Sequence, residues 1–399
     1  MTSEWKTVPL RNLVGFITKG IAPSYTEIES EDTVRVLNQK CNRNYRISYS
    51  DSRLHDLTKK SVPGERYVAK DDILINSTGA GTAGRIAQMT DVPCPTIIDG
   101  HMIVVRSNGV VSQKYLGYAL RAHQNEVLQL DEGSTGQTEL NRTRLLDEIM
   151  ISYPESSELQ DEIVKTMEAI DTKISVNERI NVNLHQQART LLTQWQIKHE
   201  GEYDFSLLSD VAVINPDTYS PKDAWEYVNY LDTSSITGGI ISEVQCIKPL
   251  TEKLPSRARR IISANDVVFS TVRPNQHHFG IITEPLENML ASTGFAVIRS
   301  RHPLISNELL YLCLTENSFI EKMQQLAEQS TSTFPSIKPS DLGVCKIPCP
   351  IDQDLSDALN TLFACITANQ RENTSLSALR DTLLPKLMSG EIDVSGIQL

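Results

Sequence analysis

The sequence predicts a mixed α/β (α+β) protein in which two similar globular domains are separated by two long helices that pair as an antiparallel coiled coil. The first supporting observation is an internal repeat. Residues 72–75 recur as 266–269, 103–107 as 296–300 and 151–154 as 347–350. The spacing stays close to 194 residues. Repetition at a fixed spacing indicates like units, and each unit is long enough for a domain followed by a helix.

The second observation is the alternation of short β-branched runs with turn residues inside each repeat. Residues 71–76 and 97–105 are predicted strands in the first copy, and 267–271 and 295–298 in the second. Helical patterns at 112–130 and 307–326 lie between other strands without a regular βαβ order. Each repeat is therefore predicted to be a mixed α+β domain.

The third observation is a long apolar seam after each domain. Apolar residues recur at spacings of four and three from Ile163 to Trp195 and from Leu355 to Leu387. Ser157 to Gln160 fits a capping box at the first helix start. Asn177 and Asn181 interrupt the first seam and could fix its register, as could Gln370 and Asn373 in the second.

The seams predict two long helices that pair with each other, antiparallel because a domain lies between them. The alternative is that each helix packs only on its own domain. The predicted boundaries are 1–154 for the first domain, 155–200 for the first helix, 201–349 for the second domain and 350–399 for the second helix with its tail.

Composition limits the partners and the location. The 399 residues include 38 Lys and Arg against 50 Asp and Glu, giving a net charge of −12. A chain this acidic is not expected to hold nucleic acid alone, since phosphate neutralisation needs cations. Partner subunits would supply part of the positive surface. No apolar run is long enough to span a membrane and no secretory signal is visible, and the scattered cysteines indicate reduced thiols. We therefore expect a cytoplasmic protein.

Three short motifs suggest cofactor or metal chemistry, but their contexts do not fit. Gly79 to Gly84 matches G-x-G-x-x-G, yet residues 85–93 leave no room for the helix that such a loop must open, so a strand–loop–strand is predicted. Residues 215–219 depart from the N-P-P-Y spacing of adenine methyltransferases. His277 and His278 have no acidic or cysteine partner at ligand spacing. No catalytic, cofactor-binding or metal-binding residue is predicted.

Matching polar loops at 134–142 and 329–338 are the candidate DNA-reading segments. Ser, Thr, Gln and Asn can bond phosphates and adenine edges, and Arg can read guanine. An ordinary surface loop is the alternative interpretation. Loop position and side-chain type select these candidate DNA-binding residues: Thr78, Arg85, Gln137, Thr138, Asn141, Arg142, Arg273, Asn275, Gln276, Thr331, Ser332 and Lys338.

The whole chain resembles the specificity subunit of type I restriction–modification systems. The segment from Leu379 to Ile392 is similar to the end of that family almost residue for residue. Segments 133–154 and 328–350 resemble its polar loop, strand and proline before a helix. The first of these departs by having Thr138 and Glu139 where the second has a phenylalanine and a proline.

The resemblance implies a non-catalytic subunit that binds double-stranded DNA. Each domain would read one half of a bipartite asymmetric site, and the helices would set the unread gap. Two methyltransferase subunits carrying S-adenosylmethionine would dock on the helices, and two restriction subunits using ATP and Mg could join them.

Two other classes of function stay open at this point. One is a coiled-coil scaffold or adaptor with two protein-binding modules and no DNA role, which fits the acidic charge. The other is a self-contained methyltransferase, which would need a cofactor loop of different context.

Overall fold

A computed structural model describes residues 4–79, 81–132, 138–330, 334–350 and 353–394, with the backbone alone at Pro221. It confirms a mixed α/β fold with two long helices. None of the helices in these ranges is both long and apolar enough to cross a membrane.

The first half of the chain contains fourteen strands and four α-helices among its described residues, with 3₁₀ turns at Leu10–Asn12, Gln39–Cys41 and Gly64–Arg66. The strands are β1 Trp5–Pro9, β2 Val14–Lys19, β3 Tyr25–Thr26, β4 Thr33–Leu37, β5 Asn42–Arg43, β6 Arg46–Ile47, β7 Arg53–Asp56, β8 Ile73–Asn76, β9 Ile86–Gln88, β10 Thr96–Ile98, β11 Met102–Ser107, β12 Asp131–Glu132, β13 Glu139–Leu140 and β14 Met150–Pro154. The helices are α1 Gln113–Ala122, α2 Gln124–Val127, α3 Arg142–Glu148 and α4 Ser157–Lys198.

The second half contains twelve strands and five α-helices in a similar order among its described residues, with 3₁₀ turns at Pro221–Asp223, Thr233–Ser235 and Pro274–Gln276. The strands are β15 Asp204–Leu207, β16 Ala212–Ile214, β17 Val228–Leu231, β18 Ile236–Thr237, β19 Ile240–Ile241, β20 Gln245–Ile247, β21 Ala258–Ile261, β22 Asp266–Ser270, β23 Phe279–Ile282, β24 Met289–Ser292, β25 Phe295–Ser300 and β26 Lys346–Cys349. The helices are α5 Leu208–Val211, α6 Asn307–Leu314, α7 Asn317–Glu328, α8 Pro339–Gly343 and α9 Asp354–Met388.

The chain forms two compact units, and both draw on the two long helices. Unit 1 comprises Met1–Ser175 with Asn373–Leu399, and unit 2 comprises Val176–Glu372. Unit 1 therefore holds the first part of α4 and the last part of α9. Unit 2 holds the rest of both helices.

The four-stranded antiparallel sheets of the two units have equivalent orders. Unit 1 has an antiparallel sheet β2-β11-β8-β9, and unit 2 has β16-β25-β22-β23. In each unit a second sheet contains one parallel pair, β4 with β10 and β17 with β24. Ile75 pairs with Ile103 as Phe269 pairs with Ala296, which matches the repeat in the sequence. The internal repeat is thus a repeat of strand order and register in these antiparallel sheets, whereas the second sheets differ in their fourth strand, β3 beside β7 in unit 1 and β21 beside β24 in unit 2.

The hydrophobic core of unit 1 includes residues from both long helices. Ile163 and Met167 of α4 share a buried cluster with Leu384 and Leu387 of α9. Asp171 of α4 accepts a hydrogen bond from Arg380 of α9 at 3.1 Å. The same carboxylate accepts from Tyr118 and Arg121 of α1, each at 3.0 Å. Burial of apolar side chains supplies most of the stabilisation, at about 25 cal/mol per Å².

Unit 2 shows that the helices run antiparallel. The amide of Asn177 donates to the Glu372 carboxylate at 2.7 Å, and the amide of Asn369 donates to Asn181 Oδ1 at 2.8 Å. Farther along α4, Leu192 and Trp195 share a core with Leu355 and Leu359 of α9. Residue numbers rise along α4 as they fall along α9. The seam asparagines, predicted to fix register, bond from helix to helix.

Three local predictions were wrong in detail. The helix α4 begins at Ser157, but its N-cap is one residue earlier than predicted, because Ser156 rather than Ser157 accepts from the Leu159 N–H, at 3.2 Å. The helix predicted over 112–130 is divided at His123, and that over 307–326 near Thr315. The strand predicted over 97–105 is interrupted at residues 99–101, where Asp99 Oδ1 accepts from the His101 N–H at 2.9 Å. The hydrogen bond within residues 99–101 is one that periodicity does not reveal.

Candidate nucleic-acid interface

In unit 1 the chain brings two separate polar segments together. The loop after β8 and the segment leading into β13 exchange two hydrogen bonds. Gly79 N–H donates to the Thr138 carbonyl at 3.2 Å, and the Thr138 hydroxyl donates to the Gly79 carbonyl at 3.1 Å. Thr78 forms an isolated β-bridge with Glu139, and its hydroxyl lies 2.7 Å from His101 Nδ1. Thr78 and Thr138, predicted from separate segments, are neighbours.

The remaining described candidates of unit 1 differ in what their side chains do. Asn141 Oδ1 accepts from the N–H groups of Thr143 and Arg144, at 3.0 and 3.1 Å, so it caps α3. Arg142 is exposed at the first residue of that helix. Arg85 is half-buried and bonds the Gly81 carbonyl of its own loop at 3.4 Å.

The glycine-rich segment is a strand–loop–strand, as predicted. β9 begins at Ile86, so no helix opens at this loop to face a cofactor. Gly84 has φ +88°, and a Cβ there would lie 2.8 Å from the Val127 carbonyl oxygen. The glycine is therefore required by close packing against α2, which is a structural role.

In unit 2 the equivalent segments also meet. Val272 forms an isolated bridge with Ser336, and Arg273 N–H donates to the Pro335 carbonyl at 2.9 Å. The Arg273 guanidinium lies over the Phe334 ring, 5.0 Å from its centroid. Both units therefore place the loop after the central strand against the polar loop that precedes the last strand.

The other described candidates of unit 2 are exposed. The Asn275 N–H donates to Gln324 Oε1 of α7 at 3.3 Å, and Gln276 N–H donates to the Arg273 carbonyl at 2.9 Å. Lys338 is also exposed, with its N–H donating to Asp341 at 2.7 Å. Gln137, Thr331 and Ser332 lie outside the described residues.

Sequence reasoning missed two residues of these surfaces. Phe334 is 54% exposed in the polar loop of unit 2, where an aromatic ring was not sought. His101 is exposed beside Thr78 but lies in a segment predicted to be a strand. Its neighbour Asp99 is buried, and burial raises the pKa of that carboxyl, while the N–H of His101 acts in the opposite direction. In the sequence, the only sign of Phe334 was that the second copy has a phenylalanine where the first copy has a polar residue.

No cluster of metal-ligating side chains occurs within the described ranges. The His278 ring lies 2.7 Å from the Ile236 carbonyl and 3.2 Å from the Thr237 hydroxyl, so it holds the β18–β19 hairpin. Each unit has one candidate binding surface among its described residues. It is formed by the loop after the central strand together with the polar loop before the last strand.

Comparison with known proteins gives a family match and two similar curated relatives. Residues 2–186 match the family described as Type I restriction modification DNA specificity domain. The HindI specificity subunit of Haemophilus influenzae is 26% identical over 152 residues, covering 37% of this chain and only 33% of that protein. The MjaIX specificity subunit of Methanocaldococcus jannaschii is 25% identical over 422 residues, covering 98% of this chain and 94% of that protein.

A solved structure shares the fold. The S subunit of a type I restriction–modification system from M. genitalium superposes with a TM-score of 0.52 at 15% identity. The match covers 97% of this chain and 96% of that one. The fold is therefore shared with a second protein of very different sequence.

Proposed function

We propose, from the membership of this chain in the type I restriction–modification DNA specificity subunits, that it is the sequence-reading subunit of such a complex. Subunits of this family are non-catalytic components of their systems. The observation that carries the proposal is the repetition, in two units of similar topology, of one exposed polar surface at the same place in the fold. Two like surfaces on one chain suit a bipartite DNA site.

The division of labour follows the predicted boundaries. Residues 1–154 and 201–349 are the two target-recognition domains, each reading one half-site. Residues 155–200 and 350–399 are the spacer helices and tail that set the unread gap. Exposed apolar residues on α4 support a docking role for the helices, because Val176 and Ile180 lie one turn apart and are 40% and 41% exposed.

The chemistry belongs to partner subunits in this proposal. Two methyltransferase subunits bind S-adenosylmethionine and methylate adenine, and two restriction subunits use ATP and Mg. The net charge of −12 supports the need for partners, since this chain by itself neutralises few phosphates. A cytoplasmic location is part of the same proposal.

Affinity and specificity have different sources on these surfaces. Exposed cations such as Arg142 and Lys338 suit phosphate oxygens, which fix position without reading sequence. Thr78, Thr138, Asn275 and Gln276 have the donors and acceptors that read base edges.

The test uses the chain together with methyltransferase subunits of its source genome. We expect salt-dependent binding to duplex DNA and methylation of one bipartite motif across the source genome, both lost when this chain is deleted. A methylome that is unchanged by the deletion contradicts the proposal. The scaffold alternative predicts a partner complex without duplex binding, and the matches reported above give it no support.

A further inference from the structure

The surface of unit 2 contains a cationic and aromatic pair at its centre. Arg273 lies over the face of Phe334 at 5.0 Å, and both side chains are exposed. Arg273 begins a short turn that ends at His277, and both residues adopt left-handed backbone conformations, with φ +47° and +57°. Such conformations cost free energy in residues with a Cβ, and they persist where the surroundings impose them.

Three neighbouring segments of unit 2 form hydrogen bonds with this turn. The backbone N–H of Arg273 donates to Pro335 at 2.9 Å, and the His277 carbonyl accepts from Gly238 N–H at 2.8 Å. Gln324 of α7 accepts from the Asn275 N–H at 3.3 Å. The position of Arg273 is thus fixed by its backbone before any ligand arrives.

The Arg273 side chain is placed to receive an acceptor from outside the described part of the chain. Among the described residues the Arg273 guanidinium has no hydrogen-bond or ion-pair partner. The guanidinium carbon lies 5.0 Å from the centre of the Phe334 ring, and no acceptor among the described residues occupies the guanidinium N–H donors. The planar guanidinium can donate two parallel hydrogen bonds to two neighbouring acceptor atoms. Such acceptors are the O6 and N7 atoms of guanine or two oxygens of one phosphate.

The aromatic partner favours the base over the phosphate. A ring that is 54% exposed gains little from a hydrated phosphate, whereas it can pack against a base or a thymine methyl in a groove. Lys338, exposed on the same loop segment, already offers a point charge for the backbone. In unit 1 the position equivalent to Arg273 is Gly79, so the pair is specific to unit 2.

We infer that Arg273, stacked on Phe334, is the guanine-reading residue of unit 2, and that Phe334 orients it. This inference rests on the proposed function. It assigns a guanine to one half of the bipartite site, the half that residues 201–349 contact. It also assigns Phe334 as a positioning residue that packs against the read base pair or its neighbour.

The experiment selects bound sequences from a randomised duplex library, using the full chain in complex with its methyltransferase subunits. Arg273→Ala should reduce discrimination at one G·C pair by roughly 5- to 150-fold. Arg273→Lys should reduce it less, because an ammonium lacks the rigid planar fork of a guanidinium. Phe334→Ala should weaken preference at the same pair, and Phe334→Tyr should restore it. The other half-site should be unchanged in all four variants.

Lys253→Ala is the matched control, since it removes an exposed cation of unit 2 and should leave every base preference intact. Retained preference in Arg273→Lys, with a uniform loss of affinity in Arg273→Ala, would identify a phosphate contact and overturn the inference. Relaxation at a pair other than G·C, or in both half-sites, would also overturn it. A wild-type complex that selects no sequence overturns the proposed function itself, and the inference with it.

Discussion

Arg106 donates two hydrogen bonds of 2.7 Å to the carboxylate of Asp72, whose side chain is only 4% exposed. The pair joins the residue before the central strand β8 to the adjacent strand β11. Unit 2 repeats it with Arg299 and Asp266, at 2.7 and 2.8 Å. The hydrogen bonds to the Asp72 carboxylate also raise the pKa of the Arg106 guanidinium.

Replacing Asp72 by Asn should destabilise unit 1. Breaking a buried pair leaves an uncompensated charge, and because Arg106 is 27% exposed, water offsets part of the cost. We expect a loss of about 2–4 kcal/mol of local stability, measured by hydrogen exchange of the β8 and β11 peptides.

Glu168→Gln is a suitable control for that variant. It breaks the exposed Lys114–Glu168 pair, whose side chains are 38% and 39% exposed. Exposed pairs contribute about 0–1 kcal/mol. Equal effects of the two substitutions would contradict the role assigned to Asp72.

Arg142→Ala should weaken binding of the complex to all duplex sequences alike. The residue is exposed at the start of α3, where its charge can reach a phosphate. Loss of one phosphate contact should lower the slope of log affinity against log salt by about one. Fluorescence anisotropy at several salt concentrations measures this slope.

The comparison for Arg142 is Arg144→Ala, two residues farther along the helix. Arg144 is already paired with Glu148 at 2.7 Å and with Glu132 at 3.6 Å. Its removal should change the slope little. If both variants give the same slope, Arg142 does not contact phosphate.

Lengthening the helix pair should lengthen the unread gap in the methylated motif. Four residues inserted after Asn181 and four after Asn369 add one turn at matched positions, since these two amides are bonded. A turn rises about 5.4 Å and a base pair about 3.4 Å, so the gap should grow by one or two base pairs. Methylation mapping reads the gap directly. Asn181→Ala with Asn369→Ala keeps the length and should leave the gap unaltered.

The cysteines should differ in their reaction with iodoacetamide at pH 8. Burial raises the pKa of the Cys41 and Cys345 thiols, so a smaller fraction is thiolate, which is the reacting form. Cys246 and Cys365 are exposed. Mass spectrometry of the native protein should find the exposed pair modified first. Labelling in denaturant is the control, where all four should react alike, and fast native labelling of Cys41 or Cys345 would contradict their burial.

The sequence by itself determined the repeated architecture, the two long helices and the absence of a helix after Gly84. These properties are local or periodic. A buried strand shows as a run of apolar residues and a paired helix as a seam, whatever surrounds them. The repeat then fixed which elements correspond, and so predicted that both copies would share one topology.

Only the tertiary structure decided which side chains meet. The bonds between Gly79 and Thr138, and the stacking of Arg273 on Phe334, join residues about sixty positions apart. Nothing in either segment specifies the other, because such contacts arise from how the sheet brings its loops together. The same is true of Asn141, chosen for its chemistry but found to cap α3. Side-chain type states what a residue can bond, and packing determines what it does bond.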